Sequence, residues 1–153
     1  MSKTLQQQDV SVLSACKHGL IYLTANDWAL IADKAKRLEF QPGDRIVYKG
    51  KPTNGIYLLL KGTARAEIPS RKVAPVIEPG EVFGEISFLD ELPATANVVA
   101  QGRTEAYFLE RLVLFSLFEL FPHLGSRFYR SMASSLSRRL RELIEAGSDG
   151  VKG

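Results

Sequence analysis

A carboxylate set directly after a glycine, at the start of a helical turn, is the feature of this sequence best placed to do chemistry. Glu85 follows Phe83-Gly84 and precedes Ile86-Ser87-Phe88-Leu89. Upstream, Pro79-Gly80 reads as a turn, because proline fixes φ and glycine supplies the positive φ that follows. Gly84 has no Cβ, so its backbone can approach another group closely. The N–H groups of Ile86 and Ser87 are unpaired in a helix start and suit an anion. A lone carboxylate beside them suits a hydroxyl donor, so the stretch reads as a phosphate-sized pocket with one carboxylate. The spacing alone fits equally well a turn and one helical turn that close a barrel and bind nothing.

Other chemistry finds little support. The single Cys16 excludes an internal disulfide framework and a multi-cysteine metal site. A metal-dependent enzyme on a small barrel needs clustered histidines, whereas His18 and His123 both lie outside the strand-like segments. No nucleophile–base pair stands out, and no enzyme activity is expected.

The elements that must position Glu85 follow from composition and periodicity. The 153 residues fit one domain. With 45% hydrophobic and 24% charged residues, a sizeable core is available and disorder is not expected. The net charge of +3 does not by itself argue for nucleic acid. Residues 1–9 are polar, unlike a secretory signal. The longest greasy stretch, Leu112 to Phe121, carries Ser116 and Glu119 and is too short to span a bilayer. The expected location is cytoplasmic.

Asp9 to Leu23 reads as an irregular helical lead-in. Thr24 then reads as an N-cap, with Asp27 in capping-box position, ahead of a helix from Ala25 to about Ala35 that buries Trp28 and Ile31. From Lys36 the period becomes two. Leu38 and Phe40, Ile46 and Tyr48, Ile56 to Leu60, Ala64 to Ile68, Val73 to Ile77, Val98 to Ala100 and Ala106 to Leu109 read as strands separated by Gly and Pro turns. Pro75 sends the Val73–Ile77 strand to an edge or end. About eight short strands suggest an all-β sandwich or a small barrel.

After Glu110 the strand signal stops. Arg111 to Phe121 reads as a helix, and Pro122 opens a last one expected to stop at Gly147. That helix carries two apolar stripes. Leu124, Phe128 and Met132 form one. Tyr129, Ala133, Leu136, Leu140 and Leu143 form the other, at the four-three spacing of a coiled-coil seam, which points to a homodimer. Packing on its own barrel is the competing explanation. Arg127, Arg130, Arg138, Arg139 and Arg141 read as a solvated face. The expected organisation is a lead-in over 1–23, a β-barrel with flanking helices over 24–122, a long helix over 123–147 and a tail over 148–153.

These motifs, in this order, resemble the cyclic nucleotide-binding domain family. Phe40-x-Pro42-Gly43-Asp44-x-Ile46, Gly50, Tyr57-x-Leu59 and Lys61-Gly62 match its first half. Pro79-Gly80-x-x-Phe83-Gly84-Glu85-x-Ser87 and Val98-x-Ala100 match its phosphate-binding cassette, and Ser137-Arg138-Arg139-Leu140 is similar to the long helix of bacterial members. The resemblance covers about residues 10 to 146. It implies a mostly β fold, an eight-stranded jelly-roll barrel with N-terminal helices and a C-terminal helix pair. It also implies a regulatory function, with cyclic AMP or cyclic GMP as the ligand and no other cofactor.

Carried over residue by residue, the resemblance gives Glu85 the ribose 2′-hydroxyl. Phe83, Gly84, Ile86 and Ser87 become the turn and backbone cradle, and Thr95 a small hydroxyl beside the phosphate. Ala94 stands where the family keeps the arginine that pairs with the phosphate. Losing that charge-assisted pair weakens binding by about 2–4 kcal/mol, on the order of 30- to 1000-fold. Arg65, Arg71 or Lys72 are candidate replacements. Glu142 and Leu143 fall near the family's purine contacts. No helix-turn-helix module can be built from Ser148 to Gly153, so direct DNA reading is not expected. Two readings follow: a sensor of weakened or altered ligand choice that signals to a partner protein, and a degenerate module that works by dimerisation or docking.

Overall fold

The computed structural model describes residues 5–68 and 74–152, with side chains described as far as Gly147. Among the described residues, two four-stranded antiparallel sheets form the body. The first runs β1 (Lys36–Phe40), β8 (Thr104–Glu110), β3 (Gly55–Lys61), β6 (Val82–Phe83). The second runs β2 (Arg45–Val47), β7 (Asn97–Ala100), β4 (Ala64–Glu67), β5 (Val76–Ile77). The jelly-roll reading of eight short strands with flanking helices holds.

The unbroken apolar run in β3 has a two-sided cause. Ile56, Leu58 and Leu60 enter a cluster under the helices, while Leu59 enters the cluster between the sheets. A strand covered on both faces shows no hydrophobic alternation. In β8, Tyr107 and Leu109 face the helices and Ala106 faces the second sheet. Strand β5 begins just beyond Pro75 and occupies the edge of the second sheet, a position compatible with a neighbouring residue that has no N–H.

Among the described residues, five helices flank the sheets. In α1 (Gln7–Ser14), Asp9 is buried and accepts the Tyr107 hydroxyl at 2.5 Å. Helix α2 (Ala25–Ala32) has the full capping box, with Thr24 Oγ1 accepting from Asp27 N–H and Asp27 Oδ2 accepting from Thr24 N–H. It ends three residues short of the expected Ala35, which is nevertheless buried as the chain turns into β1. Helix α3 (Glu85–Asp90) is the short helix of the cassette, and α4 (Arg111–Leu120) precedes α5 (Pro122–Lys152).

The stripe Leu124, Phe128 and Met132 is fully buried on the body. The Phe128 ring lies 5.2 Å from that of Phe118 and 6.4 Å from that of Phe88, so α3, α4 and α5 share one aromatic cluster. Truncating a phenylalanine buried in this way costs about 3–5 kcal/mol. The expected stop at Gly147 is corrected, because α5 continues to Lys152. Gly147 does not have positive φ, and open space surrounds it, so it adopts helical backbone. A glycine there weakens a helix by about 1 kcal/mol without ending it.

Candidate functional site

The cassette begins at the Pro79-Gly80 turn, where Gly80 has φ 92° and Glu81 N–H donates to the Glu78 carbonyl at 3.0 Å. A side chain at Gly80 would collide with Cys16, so the N-terminal segment presses on this turn. Val82 and Phe83 then pair with Leu58 and Tyr57 of β3. Phe83 is buried and stacked on Tyr57 at 5.0 Å and 10°. Gly84 takes φ 82° as the N-cap of α3, a backbone state that side chains resist. The strand-to-helix reversal therefore falls one residue before the carboxylate.

Glu85 is only 2% exposed. Its Oε1 accepts Arg139 Nη1 at 2.6 Å, and Arg139 Nη2 also donates to the Val82 carbonyl at 2.7 Å. Glu81 is the second carboxylate here. Its Oε1 accepts the Glu78 N–H at 2.9 Å, and its Oε2 accepts Arg138 Nη2 at 2.6 Å. Arg139 Nη2 lies 3.6 Å from Glu81 as well, which links the two pairs. Burial pushes the Glu85 carboxyl above its ordinary range, against the opposing pull of Arg139. Glu81 goes the other way: burial works against ionisation, but the Glu78 N–H and the two guanidiniums outweigh it and hold the carboxyl low.

Reading Arg138 and Arg139 as a solvated face is thus corrected. Both guanidiniums turn inward onto Glu81 and Glu85, because two poorly hydrated carboxylates demand donors. The sequence reading also missed Glu81. The signal was present in the chain, as two acids four residues apart in the cassette and two adjacent arginines on the last helix, but 57 and 54 residues separate the partners.

The other candidates divide. Ser87 is buried, and its hydroxyl donates to the Leu92 carbonyl at 2.5 Å, closing the turn after α3. Ile86 is exposed. Ala94 is half-buried against the inter-sheet cluster that contains Phe83. Its backbone is fixed on both sides, with the Gly50 N–H on its carbonyl and its own N–H on the Lys51 carbonyl, both at 2.9 Å. Thr95 is exposed. Thr53, not noticed in the sequence, donates to the Gly55 carbonyl and lies against Gly84. Arg65 pairs with Glu67 at 3.3 Å on half-exposed β4, while Arg71 and Lys72 lie outside the described residues. Glu142 accepts Arg138 Nη1 at 3.1 Å, and Leu143 is exposed. Among the described residues, no helix is long and apolar enough to cross a membrane, and no cluster of metal-ligating side chains occurs.

This geometry places the chain among known proteins. Cyclic GMP-binding protein C of Dictyostelium discoideum is 29% identical over 126 residues, which are 79% of this chain and 5% of that protein. The cAMP-dependent protein kinase regulatory subunit of Hypocrea atroviridis is 32% identical over 93 residues, 61% of this chain and 18% of that one. The chain thus spans a small part of either relative. A cyclic nucleotide-binding domain from Methylobacillus flagellatus KT superposes with a TM-score of 0.72 at 22% identity, covering 78% of this chain and 70% of the other, and shows the shared fold. The profile of the cyclic nucleotide-binding domain matches residues 37–120, more than half of the sequence and all of it from β1 through the cassette to α4, so the chain belongs to the cyclic nucleotide-binding domain family.

Proposed function

We propose that this domain is a regulatory sensor for a cyclic nucleotide or a related phosphorylated ligand, held between Phe83-Gly84-Glu85-Ile86-Ser87 and Ala94-Thr95. Its occupancy is passed to a partner protein. The observation that carries the reading is Glu85: a carboxylate excluded from water at a left-handed glycine turn. A carboxylate in such a place costs several kcal/mol unless a donor meets it; Arg139 does so within the chain, and a ribose hydroxyl is another suitable donor. The names of the two relatives, one for cyclic GMP binding and one for cyclic AMP dependence, support the ligand class and leave the base open.

The proposal includes a homodimer through the last helix. Tyr129, Ala133, Leu140 and Leu143 of the seam are exposed and Leu136 is half-exposed, while the opposite stripe is buried. One helix thus has one apolar face used internally and one still open, and a two-fold pairing would use that open face twice.

A specific observation favours the second reading, in which the site is closed and the domain acts by docking or dimerisation. Ala94 offers the phosphate no charge, and Glu85 already has a guanidinium. Calorimetric titration with cyclic AMP and cyclic GMP separates the two readings. The sensor reading expects binding, weakened by about 1–3 kcal/mol in Glu85→Ala as a buried hydroxyl loses a charged acceptor. Absence of heat with either nucleotide at millimolar concentration, or a dissociation constant unmoved in Glu85→Ala, would reject it.

A further inference from the structure

We infer that Arg139 is an internal occupant of the Glu85 site, so that the closed position of the second half of α5 and a ligand hydroxyl on Glu85 exclude each other. The competition rests on the ligand reading above. The latch itself rests on geometry alone.

The two halves of α5 are held by different forces. Its first half is fixed by packing, through Leu124, Phe128 and Met132. From Leu140 to Gly147 every residue is exposed. Between these lie Arg138 and Arg139, whose side chains are 24% and 26% exposed, meeting Glu81 and Glu85 at 11% and 3%. The cassette therefore retains the second half of the helix by charge, with little apolar burial behind it. Freeing that half exposes few apolar atoms, but it strips a buried carboxylate of its donor. Another donor in the same place removes that cost.

Competition follows from the space available. Glu85 is covered, with Arg139 Nη1 on one oxygen and Arg139 Nη2 on the adjacent Val82 carbonyl. A hydroxyl that pairs with that oxygen must enter the volume the guanidinium fills. Departure of Arg139 also withdraws its weak contact with Glu81, leaving Arg138 as the remaining ion pair between this half of the helix and the cassette of its own chain. Ligand entry and loosening of the helix are then one event.

The test uses the full chain as wild type, Arg139→Ala and Arg139→Lys. It combines calorimetry with cyclic AMP and cyclic GMP and amide hydrogen exchange without nucleotide. Arg139→Ala is expected to bind about tenfold or more tightly than wild type, since a hydrogen bond to a charged group no longer has to be broken. It should also lose exchange protection over 133–147 while keeping it over 122–132. Arg139→Lys, with one point charge in place of the fork, should fall between. Wild-type protection over 133–147 in Arg139→Ala would overturn the latch. Weaker nucleotide binding in Arg139→Ala would overturn the competition and make Arg139 the grip on the phosphate. A loosened helix with no nucleotide bound by any variant would support the latch and reject the sensor reading.

Discussion

Replacing Ala94 by arginine tests the explanation for a weak site most directly. The Ala94 backbone is held between Gly50 and Lys51 by two 2.9 Å hydrogen bonds, so the substitution should not move the chain. The Cβ is half-buried, so a longer side chain has a route outward and need not enter the inter-sheet core. On ligand binding the new guanidinium would give up rotamer freedom, at about 2 kcal/mol. Two hydrogen bonds to a phosphate would return about 1.5–3 kcal/mol each. The balance is about 1–4 kcal/mol in favour of binding, roughly 5- to 1000-fold in the dissociation constant. Calorimetry at low and moderate salt reads the gain, which should shrink as salt screens the new charge. An unchanged dissociation constant, in a variant whose melting curve matches wild type, would refute the argument that Ala94 is what weakens the site.

Two further predictions concern assembly and acid. Leu136→Glu with Leu140→Glu should yield monomers where the wild type is a dimer at tens of micromolar, because the charges would be buried unpaired at several kcal/mol in the seam yet hydrated in a monomer; light scattering behind a sizing column decides, and a monomeric wild type would reject the seam. Asp27, through Arg127, and Glu105, through Arg37, are held below the ordinary carboxylate range. Their folded pKa values lie below the unfolded ones, so the stability they supply is present above the unfolded values of about 4 and is lost as pH falls below them through the lower folded values. Glu85, shifted upward, works in the opposite sense over a higher window. Urea unfolding should accordingly show stability falling below about pH 5, and Glu105→Gln should flatten that fall; a parallel curve would show that the Arg37 pair does not set it.

Local chemistry was legible in the sequence where neighbouring residues determine it. The Thr24–Asp27 box, the Ile56 to Leu60 strand, the edge placement after Pro75 and the positive φ of Gly80 after Pro79 all follow from a few adjacent residues. The candidate site was half legible. Its turn and Glu85 carry a local signature, but the donor on Glu85 comes from a helix 54 residues away. Arginines along an amphipathic helix look alike whether they meet water or a buried acid, since the difference lies in the partner's burial. The same holds for Arg127 on Asp27, 100 residues apart. Gly147 misled because a glycine ends a helix only when its φ turns positive.

The Asp27 pairing gives the last helix a fulcrum. Arg127 grips the carboxylate that also caps α2, at 2.5 and 2.9 Å, so this point on α5 is riveted to the start of another helix. Met132 is the last of its packed stripe. From there to Gly147 runs a rod of about 22 Å at 1.5 Å per residue. A bend of roughly 20° at the end of the packed segment, the size at which a helix counts as kinked, would carry the tip through about 8 Å. With the latch proposed above, exchange of one hydrogen bond at Glu85 would thereby be geared up into a displacement wide enough for another protein to feel.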